Sequence, residues 1–171
     1  MTSAAVYGTG SWGTAFASVL ADAGTTVTMW GRGAEGVDQI NAGVNADSLP
    51  EMRLPSTIRA TIDPAEAGAG ADIVVLAVPS QTLRANLAVW GSALPSSAAV
   101  VSLMKGVELG TTKRMSEVIA EVGGVETERI VIVSGPRLGR MLRESVEEAP
   151  FADGPRLAYA DHLLEKGDPR G

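Results

Sequence analysis

Short apolar runs alternate with segments of helical periodicity along most of the chain. The runs that predict strands cover residues 4–7, 26–30, 58–62, 73–78, 99–103 and 129–133. Helices are predicted over residues 14–23, 34–42, 80–94 and 111–122, and a short helix begins at residue 64. Alternating strands and helices of this length predict an α/β fold with a doubly wound, mainly parallel sheet and right-handed crossovers.

Local signals refine this pattern. The first helix carries its apolar residues on one stripe, namely Ala15, Phe16, Val19, Leu20 and Ala23. Gly24 follows where a helix C-terminal glycine belongs, and Ser80 is a candidate N-cap. The continuous apolar run at 73–78 is typical of a parallel strand buried on both faces. Residues 45–57, which include two prolines, are predicted to form a loop.

Composition narrows the class of protein and of chemistry. The 171 residues suffice for one well-buried domain. The formal net charge of −6 argues against a nucleic-acid or membrane partner. Without cysteine, and with His162 as the one histidine, we expect no metal site, no disulfide and no thiolate or histidine catalysis. No segment resembles a signal peptide or is long enough to span a bilayer, so a cytoplasmic location is expected.

Residues 8–13 read Gly-Thr-Gly-Ser-Trp-Gly and match the pattern G-x-G-x-x-G. They end a predicted strand, open a predicted helix and precede a second strand, which is the context of a Rossmann-like dinucleotide site. There Gly8 permits a tight turn, Gly10 lets the backbone approach a pyrophosphate, and Gly13 lets helix and strand pack closely. The helix N-terminus offers N–H groups to the phosphates. A glycine-rich turn without a ligand is the alternative.

The end of the second strand bears on the choice between NAD and NADP. An NAD site usually has an acidic residue there, which accepts a hydrogen bond from the ribose 2′-OH. This chain instead has Arg32, which can pair with a 2′-phosphate, so NADPH is favoured. An ordinary solvated arginine is the alternative, and Glu35 lies close enough to keep NAD open.

Several further strings resemble bacterial NAD(P)-dependent glycerol-3-phosphate dehydrogenase. They are the glycine loop with Thr14-Ala15, Met-Trp-Gly-Arg at 29–32, the two Leu-Pro pairs at 49–55, Val-Pro-Ser-Gln at 78–81, Ser-Leu-Met-Lys-Gly-Val-Glu at 102–108 and Val-Ser-Gly-Pro at 133–136. These strings occur in the order of the family and span residues 4–136. A general dinucleotide-binding fold would share only the first of them.

The resemblance implies reversible reduction of dihydroxyacetone phosphate to sn-glycerol 3-phosphate, a reaction that feeds glycerophospholipid synthesis. It also implies that Ser11, Trp12 and Arg32 contact the cofactor. By the same resemblance, Lys105 reaches both cofactor and substrate, and Gly135 lines the substrate site. The substrate is therefore expected to be a small phosphate-bearing molecule.

The position of Lys105 agrees with this role on physical grounds. Lys105 follows a buried strand, at the carboxyl edge of the sheet where open α/β sheets bind ligands. An ammonium group there would stabilise charge on a ketone oxygen during hydride addition, which makes Lys105 the candidate catalytic residue. On spacing alone, a surface lysine in a turn is the alternative. Pro79 also follows a strand and is expected beside the adenosine or pyrophosphate.

The sequence is expected to leave the pattern of the family near residue 136. The family continues with an all-helical domain that carries a second lysine and most substrate contacts, whereas residues 137–139 read Arg-Leu-Gly. We expect a dinucleotide-binding domain at 1–136 and a divergent, weakly ordered tail at 137–171. Within that tail, the sequence is compatible with a helix at 137–148. A truncated or frame-shifted gene product, or a shortened relative, would explain such a change.

Three functions stay open on the sequence. The first is a glycerol-3-phosphate dehydrogenase, active alone or as a homo-oligomer, and the second is a dinucleotide-binding module without catalysis. The third, a reductase of another small keto acid, is disfavoured by residues 102–108. Loss of a general acid commonly costs about 10²–10⁴-fold in rate, so weak or no turnover is expected. An uncovered apolar surface would also promote self-association.

Overall fold

The computed structural model describes residues 1–133. Within them the strands are β1 (Ser3–Tyr7), β2 (Thr26–Trp30), β3 (Val44–Asn45), β4 (Leu49–Arg53), β5 (Ile58–Thr61), β6 (Ile73–Leu76), β7 (Ala99–Ser102) and β8 (Ile130–Ile132). The helices of this part are α1 (Ser11–Asp22), α2 (Ala34–Asn41), α3 (Pro64–Gly68), α4 (Leu83–Trp90) and α5 (Met115–Gly123).

The main sheet has the strand order β5-β2-β1-β6-β7-β8, and neighbouring strands are parallel. The chain builds outward from β1 through β2 to β5, returns to place β6 on the other side of β1, and continues outward to β8. The direction of winding therefore reverses between β1 and β6, which is the point where ligands bind in open α/β sheets. The predicted Rossmann-like, doubly wound α/β fold is confirmed.

Alternate residues of the central strands serve two separate cores. Tyr7 and Leu76 face a cluster that α3, α4 and α5 cover, with Trp90 as its largest fully buried side chain. Val6 and Val75 face a second cluster formed with α1, α2 and the β3–β4 hairpin. Burial on both faces explains why the strand sequences are continuously apolar.

The predicted loop at 45–57 is wrong in part, because β3 and β4 form a short antiparallel hairpin there. Pro50 lies within β4. A proline at this place in the sequence argues against a strand. Each strand of a two-stranded ribbon is an edge strand, however, and an edge strand tolerates the missing N–H of proline. The hairpin is anchored because Leu49, Met52 and Leu54 are buried in the second core cluster.

The first helix differs from its predicted stripe. Its buried residues are mainly small, and they are Gly13, Thr14, Ala15, Ala17, Ser18 and Ala21. Ala23, by contrast, is exposed, and Phe16 and Leu20 are only partly buried. At Gly13 the helix lies so close to the glycine loop that a Cβ atom would be 2.3 Å from the Gly8 carbonyl oxygen. The predicted C-terminal glycine is confirmed, since Gly24 has φ +84° and its N–H donates to the Ala21 carbonyl.

Two other helix starts were predicted wrongly. Ser80 caps no helix, because residues 80–82 form a 3₁₀ turn and α4 begins only at Leu83. The helix predicted from residue 111 begins at Met115 instead. Thr112 adopts a left-handed conformation with φ +57°, which interrupts the helical path before that point.

Across residues 1–133, no helix is both long enough and apolar enough to cross a membrane. The predicted tail at 137–171, the helix expected within it and Gly135 lie outside the described residues.

Candidate functional site

A cleft of about 760 Å³ opens at the carboxyl edge of the sheet, at the neighbouring strands β1 and β6, between which the direction of winding reverses. Four segments form its walls: the glycine loop after β1, the end of β2, the residues that follow β6 and the residues that follow β7. The lining residues include Gly8, Thr9, Gly10, Ser11, Trp12, Trp30, Gly31, Arg32, Ala77, Val78, Pro79, Met104 and Lys105. Its volume lies within the usual range for a ligand pocket, which is about 300–1,000 Å³.

Two glycines of the loop bring three backbone segments into close contact. Gly8 has φ +125°, and a Cβ atom there would lie 2.4 Å from the carbonyl oxygen of Ala77 after β6. A Cβ atom on Gly13 would lie 2.3 Å from the carbonyl oxygen of Gly8. No larger residue fits at either position without moving the backbone, so these two glycines hold the turn, α1 and β6 together.

Gly10 has a different environment, since a Cβ atom there would meet nothing within 4 Å. Gly10 is the N-cap residue of α1, and no side chain caps this helix. The first-turn N–H groups of a helix have no partner within the helix, and together they favour an anion. The open space at Gly10 and the uncapped N-terminus of α1 therefore fit a pyrophosphate group.

The β3–β4 hairpin holds the glycine loop from the side. The Thr9 carbonyl accepts hydrogen bonds from Asn45 Nδ2 at 2.9 Å, Ser48 Oγ at 3.1 Å and Thr14 Oγ1 at 3.2 Å. In return, Ser11 Oγ donates to the Ser48 carbonyl at 3.0 Å. The Ser11 hydroxyl thus donates its proton to the hairpin. Its oxygen can still accept a hydrogen bond from the cleft side.

Arg32 lies at the rim of the cleft directly after β2. It is exposed, and it makes no ion pair with any other residue of the 1–133 segment. Trp30 before it is fixed by its indole N–H, which donates to the Ile62 carbonyl at 3.1 Å. Glu35 is exposed in the first turn of α2. The Arg32 guanidinium therefore lines the cleft, whereas Glu35 is not among its lining residues.

Lys105 lines the opposite wall, in the loop that follows β7. The Leu103 N–H continues the sheet pairing by donating to the Leu76 carbonyl at 3.0 Å. The loop is then tied to the segment after β6 by Gln81, whose Nε2 donates to the Val107 carbonyl and whose Oε1 accepts from the Leu109 N–H, both at 2.9 Å. Gln81 thereby fixes the backbone on the C-terminal side of Lys105.

Glu108 provides the second anchor of this loop. It is buried and accepts two hydrogen bonds from Arg84 of α4, Nε to Oε1 at 2.8 Å and Nη2 to Oε2 at 2.9 Å. Thr111 Oγ1 also donates to Oε2. The Arg84 guanidinium, and then the Thr111 hydroxyl, hold the pKa of the Glu108 carboxyl below its usual range. The pKa of Arg84 is correspondingly raised.

The structure brings most of the predicted site residues together. Those that line the cleft are Gly8, Gly10, Ser11, Trp12, Arg32, Pro79 and Lys105. Gly13 lies beneath the loop rather than in its surface, because its place in α1 faces the backbone of Gly8. Their contacts with a bound molecule remain a prediction.

Sequence reasoning missed the residues that support these walls. Asn45 and Ser48 lay in a predicted loop, while Gln81 and Glu108 belonged to quoted strings but received no role. The partners of Asn45 and Gln81 are mainly backbone groups, which every residue carries. No pairing pattern in the sequence therefore reveals these contacts.

Comparison with known proteins identifies the family. Residues 3–146 match the family model described as NAD-dependent glycerol-3-phosphate dehydrogenase N-terminus. A relative from Streptomyces griseus, named glycerol-3-phosphate dehydrogenase [NAD(P)+], is 59% identical over 142 residues, which are 82% of this chain and 42% of the relative. A relative of the same name from Streptomyces avermitilis is 59% identical over 161 residues, which are 94% of this chain and 48% of the relative.

The expected loss of similarity after residue 136 is wrong. The family match continues to residue 146, and the 161-residue alignment with the Streptomyces avermitilis protein also extends beyond residue 136. Similarity judged from short strings ended too early, because the last such string stops at residue 136 while the family match continues. The chain spans less than half the length of these two relatives.

Solved structures agree with the family match. The glycerol-3-phosphate dehydrogenase of Coxiella burnetii has a TM-score of 0.70 at 31% identity, and the match covers 79% of this chain and 41% of that chain. The glycerol-3-phosphate dehydrogenase of Saccharomyces cerevisiae has a TM-score of 0.68 at 26% identity, and the match covers 79% of this chain and 42% of that chain. With the family model matched over most of its length, the chain belongs to the NAD-dependent glycerol-3-phosphate dehydrogenase family and corresponds to its N-terminal part.

Proposed function

We propose that the cleft binds a nicotinamide dinucleotide, with NADPH preferred over NADH. We further propose that the chain serves the reversible reduction of dihydroxyacetone phosphate to sn-glycerol 3-phosphate, in support of glycerophospholipid synthesis. The observation that carries the proposal is the open space at Gly10, at the uncapped N-terminus of α1, in a chain that belongs to this family.

The proposed cofactor contacts follow the walls of the cleft. Gly10 and the first turn of α1 would hold the pyrophosphate, with Ser11 and Trp12 as neighbouring contacts. The residues at the end of β2 would hold the adenosine, and Arg32 would pair with the 2′-phosphate of NADPH. Pro79 closes the wall on the β6 side. The absence of an acidic residue at the end of β2 supports the preference for NADPH.

Lys105 is the proposed catalytic residue. When bound, a reduced nicotinamide would supply a hydride to the substrate carbonyl carbon, and negative charge would develop on the carbonyl oxygen. The exposed Lys105 ammonium, which lines the cleft, stabilises that charge or the substrate phosphate by its positive charge. Gln81 and Glu108 keep the loop that carries Lys105 in place. Gly135 is proposed to line the substrate site on the basis of the family resemblance alone.

A binding and turnover experiment tests the proposal. Calorimetric titration of the 171-residue chain with NADPH and with NADH measures the two dissociation constants. NADPH oxidation with dihydroxyacetone phosphate, followed by absorbance, measures turnover. Binding of neither dinucleotide would refute the proposed function.

Replacement of Arg32 tests the preference between the cofactors. Arg32→Ala should weaken NADPH binding about 10- to 100-fold, because a charge-assisted contact is lost, and should leave NADH binding nearly unchanged. Arg59→Ala, which removes a guanidinium outside the cleft lining, is the control. An unchanged ratio of the two dissociation constants in Arg32→Ala would contradict the role of Arg32.

A dinucleotide-binding module without catalysis is the second candidate. It is supported by the described residues, because the open space at Gly10 and the uncapped N-terminus of α1 fit a dinucleotide by themselves. The two candidates separate in the same experiment. NADPH binding without oxidation of NADPH would select the module, whereas turnover would select the dehydrogenase.

We also propose residues 1–136 as the dinucleotide-binding unit, a cytoplasmic location and assembly into a homo-oligomer. Sedimentation velocity over a range of protein concentrations tests the assembly. A single monomer boundary at the highest concentration would exclude it.

A further inference from the structure

The β3–β4 hairpin contacts the glycine loop at the peptide group between Thr9 and Gly10. The Thr9 carbonyl points toward the hairpin, where it accepts from Asn45, Ser48 and Thr14. In a planar trans peptide, the carbonyl and the following N–H point in opposite directions. The Gly10 N–H therefore points away from the hairpin, and the negative end of this peptide group is kept away from the anion site.

The Thr9–Gly10 peptide has an alternative orientation that would harm anion binding. Rotating it by about 180° would take Gly10 φ from −71° into the positive range, which glycine adopts without steric cost. The carbonyl oxygen would then turn from the hairpin and repel a phosphate instead of offering it an N–H group. The same lack of a side chain that opens space at Gly10 thus also makes this rotation easy.

Asn45 is the residue best placed to prevent the rotation. It is 4% exposed, and its Nδ2 donates both to the Thr9 carbonyl at 2.9 Å and to Thr14 Oγ1 at 2.8 Å. Thr14 Oγ1 in turn donates to the same Thr9 carbonyl. Asn45 thus acts on this carbonyl directly and through Thr14, and Ser48 adds a third donor from the same hairpin.

We infer that Asn45, supported by Ser48, is a positioning residue that holds the Thr9–Gly10 peptide in its anion-binding orientation and thereby sets the affinity for the dinucleotide. This inference rests on the proposed function, because it concerns the same phosphate-binding loop. It assigns the β3–β4 hairpin a part in cofactor binding although neither Asn45 nor Ser48 lines the cleft.

The test compares two asparagines that make similar numbers of hydrogen bonds. Asn45→Ala should weaken NADPH and NADH binding about tenfold, since loss of the two donated bonds frees the peptide. Asn41→Ala removes an asparagine that pairs with both backbone groups of Ala60, away from the cleft. Its dissociation constants should match those of the parent, even where its melting temperature falls.

Ser48→Ala keeps the test valid if Asn45→Ala does not fold. It removes one donor and leaves the backbone carbonyl of Ser48 available to Ser11, so about threefold weaker binding is expected. In the folded variants, the amide resonance of Gly10 should also shift or broaden in Asn45→Ala and stay unchanged in Asn41→Ala.

The outcomes distinguish the inference from the function on which it rests. A parent chain that binds neither dinucleotide overturns both. A parent that binds, with unchanged affinity in Asn45→Ala or in Ser48→Ala, overturns the inference alone. Equal losses of affinity in Asn45→Ala and Asn41→Ala also overturn it, because the effect would then follow general stability.

Discussion

At the scale of single residues, the three glycines of one motif have different physical roles. Gly8 and Gly13 are required because backbone atoms lie where their Cβ atoms would be, at 2.4 Å and 2.3 Å. A Cβ atom at Gly10 would meet nothing within 4 Å, so the fold does not require glycine there, whereas the proposed pyrophosphate would need that space. Stability and affinity should therefore separate when these glycines are replaced.

Alanine substitutions at Gly10 and Gly13 test this separation. Gly10→Ala should keep or slightly raise the melting temperature, because φ −71° suits alanine, and should weaken NADPH binding at least about tenfold by steric overlap. Gly13→Ala should lower the free energy of unfolding by about 2 kcal/mol, since the Gly8 backbone must move. Thermal melts and calorimetric titrations measure both quantities. Equal melting temperatures for the two variants would contradict the assignment.

Tyr7 gives a prediction about alkaline pH. Its ring is fully buried against Trp90 at 4.5 Å, and its hydroxyl donates to the Pro64 carbonyl at 2.7 Å. Burial, and then the charge of Asp63, raise the pKa of Tyr7 to about 12. The unfolded chain, with an ordinary pKa near 10, loses this proton first as the pH rises. The contribution of the protonated Tyr7 to the free energy of unfolding is therefore fully present below about pH 10 and is lost between about pH 10 and pH 12.

The comparison of the parent with Tyr7→Phe isolates this effect. Below about pH 9 the parent should be more stable by about 1 kcal/mol, the worth of the hydrogen bond to Pro64. That advantage should shrink and reverse above about pH 10, because deprotonation of the unfolded parent is worth about 2–3 kcal/mol. Melting temperatures from pH 8 to pH 11.5 measure the difference, and parallel curves would contradict the raised pKa.

At the scale of elements, the loop between β7 and α5 depends on α4. Arg84 of α4 binds the buried Glu108 through two hydrogen bonds, and this carboxylate fixes the loop that carries Lys105. The lowered pKa of Glu108 means that the ionised form stabilises the fold. This contribution is present above the ordinary pKa of a glutamate, near 4.3, and is lost as the pH falls through the lower pKa of the folded state.

Glutamine substitutions test the role of this pair. Glu108→Gln should lower the melting temperature at pH 7, and the difference from the parent should close as the pH falls below about 4. Glu117→Gln is the matched control, because Glu117 pairs with Arg114 on the surface, where ion pairs contribute little. Scanning calorimetry at pH 7 and pH 3.5 provides the measurement. An effect of Glu108→Gln no larger than that of Glu117→Gln would contradict the role of this loop anchor.

Elements with a strong local pattern were predictable from the sequence, and those determined by distant contacts were not. The apolar runs of β1, β2, β6 and β7 are intrinsic to the chain, and so is the glycine loop that opens α1. The β3–β4 hairpin was missed because Pro50 argues against a strand until the edge position is known. The start of α5 was missed because Thr112 adopts its left-handed conformation in a turn shaped by the buried Glu108.

The candidate site divides in the same way. Residues that line the cleft belong to recognisable motifs: the spacing of the glycine loop and of the second strand indicated Gly10 and Arg32, and the family resemblance indicated Lys105. Asn45 and Gln81 act on backbone groups of distant segments, which leaves no trace in the spacing of side chains. Sequence patterns therefore indicate the surface of the site more readily than its support.

At the scale of the whole molecule, a ligand that binds the cleft links the two halves of the sheet. Its walls come from the β1–β2 side and from the segments after β6 and β7. NADPH at about 100 times its dissociation constant should raise the free energy of unfolding by about 2.7 kcal/mol. For a chain of this size the melting temperature should rise by roughly 7 °C.

Differential scanning fluorimetry with and without NADPH measures this shift. The Gly10→Ala variant is the control, because the same NADPH concentration should shift its melting temperature much less. An equal shift in parent and variant would show that NADPH stabilises the chain at another place.

The pairing of β1 with β6 has a consequence for synthesis on the ribosome. β1 emerges first, but Leu76, the registered partner of Tyr7, follows about 70 residues later, which takes roughly 4–14 s at typical elongation rates. Gly8 and Gly13 both lie against Ala77 at the end of β6. The nascent glycine loop therefore lacks one of its walls until that segment has left the exit tunnel, and the proposed dinucleotide site is incomplete before then.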